Sequence, residues 1–205
     1  MKLSLIKGDT KLKNINETDG EIIVILVETI IDVINASSIW TKGHALRVAN
    51  YAVQIAEEMG FSDKEVMILR LAGLLHDIGE IGTSDQLISK TSITDKEYEI
   101  IKEHPVHGAK IFEEIDQLKD IVPLIRHHHE RVDGKGYPDS LTGEETPISA
   151  RILHVAESFD SMTSDRPHRP SPGIEYALSE LKKHSGSQFD SRVVDAFLEI
   201  STFVE

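Results

Sequence analysis

From Glu21 onward the apolar positions recur with helical spacing, and the two-residue alternation of a strand is nearly absent. The pattern predicts helices over residues 21–36 and 41–59. The second is stopped by Gly60, where a helix C-cap favours glycine. Ser62-Asp63-Lys64-Glu65 is a capping box that opens a third helix running into His76-Asp77. A second box, Thr94-Asp95-Lys96-Glu97, opens a helix that must bend or end at His104, because Pro105 follows. Further helices are predicted over 106–115 and 120–130. Asp133-Gly134-Lys135-Gly136-Tyr137-Pro138 then breaks regularity. Pro147 belongs to the first turn of the helix that carries 151–162. Helices over 172–184 and 191–203, separated by Gly186, close the chain. Residues 1–20 read as an irregular lead-in and 21–205 as one all-α domain.

Composition narrows what such a domain can do. Its 205 residues are enough for one substantial core. With 35 acidic against 22 basic side chains, the net charge is −13. That disfavours a nucleic-acid polymer or a membrane surface as partner, since both need a basic field. An anionic substrate requires local cations that invert the sign at the site. The absence of cysteine excludes disulfides, thiolate metal sites and cysteine nucleophiles. The N-terminus has no signal-peptide pattern. The most apolar segment, 22–34, is too short to span a bilayer and carries Glu28 and Asp32. A cytoplasmic location is expected.

Ten histidines are the chemical anomaly. His44 lies early in the second predicted helix and His76-Asp77 near the end of the third. His104 precedes a proline, and His127-His128-His129 close another helix. Glu157 lies within the 151–162 helix, with Asp160 one turn later. Any one of these histidines alone is more often a surface or core residue than a ligand. Together they offer imidazole and carboxylate from five separate helices, a set suited to Fe, Mn, Ni, Co or Zn. Two metals sharing one carboxylate would account for so many donors. His107, His127, His154, His168 and His184 are left as ordinary residues.

In the order and spacing of its motifs the chain resembles the HD-GYP family, the branch of the HD phosphohydrolases that hydrolyses cyclic di-GMP. The likeness rests on "HALRVANYAVQIAEEMG" (44–60), "LRLAGLLHDIGEIG" (69–82) and "HPVHG" (104–108). It continues through "HHERVDGKGYP" (128–138), "ARILHVAESFDSMTSDRPHR" (150–169) and "SGSQFD" (185–190). It implies an all-α HD-domain bundle with a dinuclear metal site at its centre. Asp77 would bridge the metals, with His44, His76 and Glu157 on one and His104, His128 and His129 on the other. His76 and Asp77 would form the catalytic centre, and Arg166, Arg169 and Tyr137 would contact substrate. The implied reaction is attack of a metal-bound hydroxide on a phosphodiester of cyclic di-GMP, giving pGpG, with further cleavage to GMP left open. Iron or manganese leads the metal candidates, with Ni, Co and Zn also compatible. The Gly136-Tyr137-Pro138 loop implies contact with a diguanylate cyclase partner.

Three departures from the family pattern bear on this reading. Glu157 stands where the family has Asp, which keeps the charge but lengthens the reach. Trp40 stands where some members place a Glu that holds a third metal, so two metals are expected. Glu80 replaces the lysine of the family's "HDIGK". Glu80 is expected to face solvent, leaving Arg166 and Arg169 to hold phosphate; the alternative is an extra oxygen ligand. Two other functions remain open: a catalytically weak cyclic di-GMP sensor or interaction domain, and an HD-type hydrolase of another nucleotide.

Overall fold

A computed structural model describes residues 25, 27, 29–31, 43–82, 90, 93–165 and 170–201. The 1–20 lead-in, Trp40 and most of the predicted 21–36 helix fall outside these residues. The positions of that helix that are described are helical, and Val27 is buried.

Helix α1 (His44–Glu58) begins one residue after Gly43 and ends before Gly60, whose φ of +76° is the left-handed turn expected there. Both predicted capping boxes form. In one, Ser62 opens α2 (Asp63–Leu75) and exchanges hydrogen bonds with Glu65. In the other, Thr94 and Glu97 do the same for α3 (Asp95–Ile101). After α2 the chain tightens into a 3₁₀ turn, Ile78–Gly82.

Two boundaries differ from the predicted ones, and proline is the reason in both. Helix α4 (His104–Phe112) starts at His104 itself, with Pro105 in its first turn, where the missing N–H costs nothing. The predicted 120–130 helix divides into a 3₁₀ segment, Asp116–Ile121, and α5 (Val122–His127), which starts afresh with Pro123 in its first turn. Pro147 sits one position outside α6 (Ile148–Thr163) as its N-cap. Helices α7 (Ile174–Lys183) and α8 (Ser191–Ser201) complete the order. Among the described residues, β-pairing is confined to two isolated bridges, Asp133 with Thr142 and Ser185 with Phe189.

Helix α1 packs between α2 and α6, and α8 closes over it; α5 bridges α2, α4 and α6. Ile55, Leu69, Leu75, Phe112, Ile125 and Ile152 form the dry interior. Two glycines set how closely elements approach. A Cβ on Gly73 would lie 2.9 Å from the Ala49 Cα, so α1 and α2 pack backbone to backbone. A Cβ on Gly79 would lie 2.0 Å from the His104 carbonyl oxygen and 2.7 Å from the Gly108 nitrogen. The 3₁₀ turn is therefore seated directly on α4, which brings Asp77 to His104. Gly79→Ala should consequently lower stability by about 1–3 kcal/mol or more, as overpacking does. Urea denaturation is the check, and an unchanged midpoint would contradict this seating.

Candidate metal centre

Two groups of donor atoms converge where α1, α2, α4 and α5 meet. His44, His76 and Asp77 form one, and His104, His128 and His129 the other; within each group the ligand atoms lie within 4.8 Å of one another. Asp77 faces both. Its Oδ2 is 3.2 Å from His76 Nε2 and 3.4 Å from His44 Nε2, while its Oδ1 is 3.5 Å from His104 Nε2. Glu157, on α6, comes within 3.7 Å of His129 Nδ1 through Oε2. The structure thus gathers His44, His76, Asp77, His104, His128, His129 and Glu157 into one cluster. Tyr137 stacks on the His129 ring at a centroid distance of 4.7 Å. Arg166 and Arg169 lie outside the described residues.

Backbone carbonyls aim three of the imidazoles. His76 Nδ1 donates to the Gly73 carbonyl at 2.8 Å, His104 Nδ1 to Ile101 at 2.8 Å, and His128 Nδ1 to Ile125 at 2.6 Å. Because a carbonyl only accepts, each Nδ1 carries the hydrogen and each Nε2 presents a lone pair to the centre. His76 Nε2 is buried without a hydrogen-bond partner. His104 Nε2 and His128 Nε2 face each other at 3.2 Å. With both rings donating through Nδ1, that contact sets lone pair against lone pair, and a cation between them resolves it. Buried polar atoms left in this way are costly unless coordinated. The donor set and its orientation fit divalent transition metals.

His44 is aimed differently. Its Nδ1 donates to Asp160 Oδ2 at 2.7 Å, and Asp160 also accepts from Arg47 Nε and, at 3.0 Å, Nη2. A carboxylate behind a ligating imidazole fixes its tautomer and raises its donor strength. Neither Asp160 nor Arg47 was assigned a role from sequence. The available signal was that Asp160 lies one turn after Glu157 and Arg47 three residues after His44.

Charge in the cluster is shared unevenly. Burial pushes His104, His128 and His129 below the usual imidazole range, so they stay neutral. Burial also opposes ionisation of Asp77 and protonation of His44, but the attraction of His76 and His44 for Asp77, and the Asp160 hydrogen bond to His44, prevail. Asp77 is held well below the ordinary carboxylate range and His44 is raised to about 10. Glu80 corrects an expectation. It is partly buried rather than turned to solvent, and burial together with Asp77 and Glu157 raises it to about 8.

The Gly-Tyr-Pro loop is fastened to the same centre. Buried Glu130 accepts from the Asp139 and Leu141 amides at 2.7 and 3.1 Å. Gly136 passes so close to the chain at 129–131 that a Cβ would lie 2.6 Å from the His129 oxygen. A cavity of about 550 Å³ opens beside His129 and Glu157, with Lys102, Arg131, Lys135 and Tyr137 on its wall.

A family model described as an HD domain matches residues 28–193. The chain belongs to the HD domain family. This HD domain is 42% identical over 165 residues to a protein from Thermotoga maritima named cyclic di-GMP phosphodiesterase, covering 78% of the chain and 44% of the relative. It is 33% identical over 159 residues to one from Vibrio cholerae named 3′3′-cGAMP-specific phosphodiesterase 3, covering 77% and 35%. A crystal structure of a cyclic GMP-AMP-specific phosphodiesterase from V. cholerae shares the fold, with a TM-score of 0.67 at 21% identity over 87% of this chain and 48% of that one. The chain thus spans less than half the length of the relatives it matches. Among the described residues no helix is long and apolar enough to cross a membrane.

Glu80 generates a pH signature in the metal-free protein. In the unfolded chain it ionises near 4.5, but in the fold only near 8. The fold keeps a proton that the unfolded chain has released, so the stability this group contributes is present below 4.5 and lost as pH rises toward 8. The difference in denaturation midpoint between the chelator-treated wild type and Glu80→Gln should therefore decline across that window, because the buried histidines titrate alike in both proteins. Parallel profiles for the two proteins would contradict the placement of Glu80.

Proposed function

We propose that this HD domain is a metal-dependent phosphodiesterase that hydrolyses cyclic di-GMP at a dinuclear centre. The observation that carries the reading is Asp77, whose two oxygens face two separate imidazole groups. His44, His76 and Glu157 would hold one divalent ion, His104, His128 and His129 the other, and Asp77 both. Iron or manganese would suit this mixed nitrogen and oxygen set, and Ni, Co or Zn could occupy it. Such a pair supplies charge stabilisation on both sides of phosphorus and makes water nucleophilic at neutral pH.

The chain's own groups do the rest. Asp77 keeps its negative charge between the two donor groups and orients the attacking water. Asp160 holds His44 in the tautomer that exposes Nε2. Arg166 and Arg169 would bind phosphate, a charge-assisted contact that also fixes orientation. Lys102, Arg131 and Lys135 bring positive charge to the cavity of a chain that is acidic as a whole. Tyr137 forms part of the same wall and would contact substrate. The product would be pGpG, with further cleavage to GMP left open. Action in the cytoplasm, and contact of the Gly136-Tyr137-Pro138 loop with a diguanylate cyclase, belong to the same proposal. The names of the T. maritima and V. cholerae relatives support cyclic dinucleotide chemistry; the latter also favours mixed cyclic GMP-AMP as a second substrate reading.

Anaerobic purification with metal analysis, followed by turnover assays on that sample, tests the proposal. Cyclic di-GMP should be cleaved to pGpG, chelation should abolish cleavage, and Asp77→Asn should reduce it to background. Asp160→Asn should weaken metal binding by about 10–100-fold. Fully loaded protein that cleaves 3′3′-cGAMP or a simple activated phosphodiester, but never cyclic di-GMP, would transfer the assignment to another nucleotide. Loaded protein that binds cyclic di-GMP without cleaving it would make the domain a sensor.

A further inference from the structure

His129 differs from the other imidazoles of its group. His104 and His128 are each aimed by a carbonyl three residues earlier in the chain. His129 lies past the end of α5, and both peptide groups that flank it are held by distant parts of the chain. The carbonyl of His129 accepts from the Tyr137 amide at 3.4 Å, so the Gly-Tyr-Pro loop holds one side. The carbonyl of His128, which belongs to the peptide linking His128 to His129, accepts from His154 Nδ1 at 3.0 Å. His154 comes from the middle of α6 and is buried.

The His154 ring is itself fixed at its other nitrogen. With Nδ1 donating, Nε2 must accept, and it receives the Gln188 amide nitrogen at 3.3 Å. That sets the orientation of the Gln188 amide, whose Oε1 accepts from Arg131 Nη1 at 3.0 Å. Arg131 is held in turn by Asp133 through two hydrogen bonds of 2.9 and 2.8 Å. The chain of bonds Asp133–Arg131–Gln188–His154 therefore runs from the Gly-Tyr-Pro loop, through the segment before α8, to the peptide that joins His128 to His129. Each bond has its donor and acceptor decided by the next, so the direction of the whole relay is fixed.

We infer that His154 is a positioning residue for the His104–His128–His129 metal site, holding the His128–His129 peptide so that both imidazoles reach one ion. The inference rests on the dinuclear reading above. What separates His154 from an ordinary buried histidine is the hydrogen bond to the His128 carbonyl, so a side chain that keeps the donor should keep the site and one that merely loses the ring should not. Outer groups that orient metal ligands typically change metal affinity by 10–100-fold when removed.

Manganese titration of the metal-free full chain, followed by paramagnetic resonance of free Mn²⁺, tests this without reference to turnover. Wild type should take up two equivalents. His154→Ala should weaken one of the two steps about tenfold or more and leave the other within about twofold. His154→Asn, whose amide nitrogen can replace Nδ1 as donor to the His128 carbonyl, should restore most of the lost affinity. If His154→Ala does not fold, Gln188→Ala leaves the ring in place but frees its Nε2, and should weaken the same single step to a smaller degree. Unchanged binding in these variants, equal weakening of both steps, or no recovery in His154→Asn would each overturn the inference. A wild-type titration that saturates at one equivalent would instead overturn the dinuclear reading, taking this inference with it, and would be visible before any variant is compared.

Discussion

The carboxylate of Asp77 is the constraint around which this protein is arranged. One oxygen meets His44 and His76, the other meets His104, and those imidazoles come from three separate helices. Bringing them to one carboxylate requires the 3₁₀ turn that follows α2 to rest directly on α4. Gly79 makes that approach possible, because any side chain there would collide with the His104 carbonyl. The bundle thus trades backbone bulk for proximity at the point where the chemistry is concentrated.

The second constraint is orientation. A buried imidazole is a useful donor only when its lone pair points inward, and the fold secures this for four of the five by giving the outer nitrogen an acceptor. Carbonyls three residues back serve His76, His104 and His128, while Asp160 serves His44. The arrangement leaves inward lone pairs facing each other across 3.2 Å and three carboxylates, Asp77, Glu80 and Glu157, in mutual electrostatic reach. Such a cluster is poorly satisfied by protein groups alone and well satisfied by divalent cations, which also reverse the local sign for an anionic substrate.

Much of this could be read from the sequence where the cause is local. The two capping boxes, the Gly60 stop and the donor residues all stand at the positions their motifs indicate, and the HD-GYP resemblance joined the donors across distant segments. What could not be read depends on tertiary contact or on backbone detail. Pro105 and Pro123 opened helices where the apolar pattern suggested different boundaries, since proline is tolerated in a first turn but not within one. Glu80 lies partly buried within electrostatic reach of Asp77 and Glu157 because the 3₁₀ turn carries it there, which no periodicity reveals. Asp160 meets a histidine 116 residues away, and His154 looks like an unremarkable core histidine until its carbonyl partner is seen.

Asp77 is proposed to join two adjacent metal positions. A crystal structure of the metal-loaded protein, with anomalous diffraction recorded at the absorption edge of the bound metal, addresses it most directly. Two anomalous peaks roughly 3.5–4 Å apart are expected, with one oxygen of Asp77 on each, His44 and His76 on one side and His104, His128 and His129 on the other. A single peak, or two peaks of which only one touches Asp77, would contradict it.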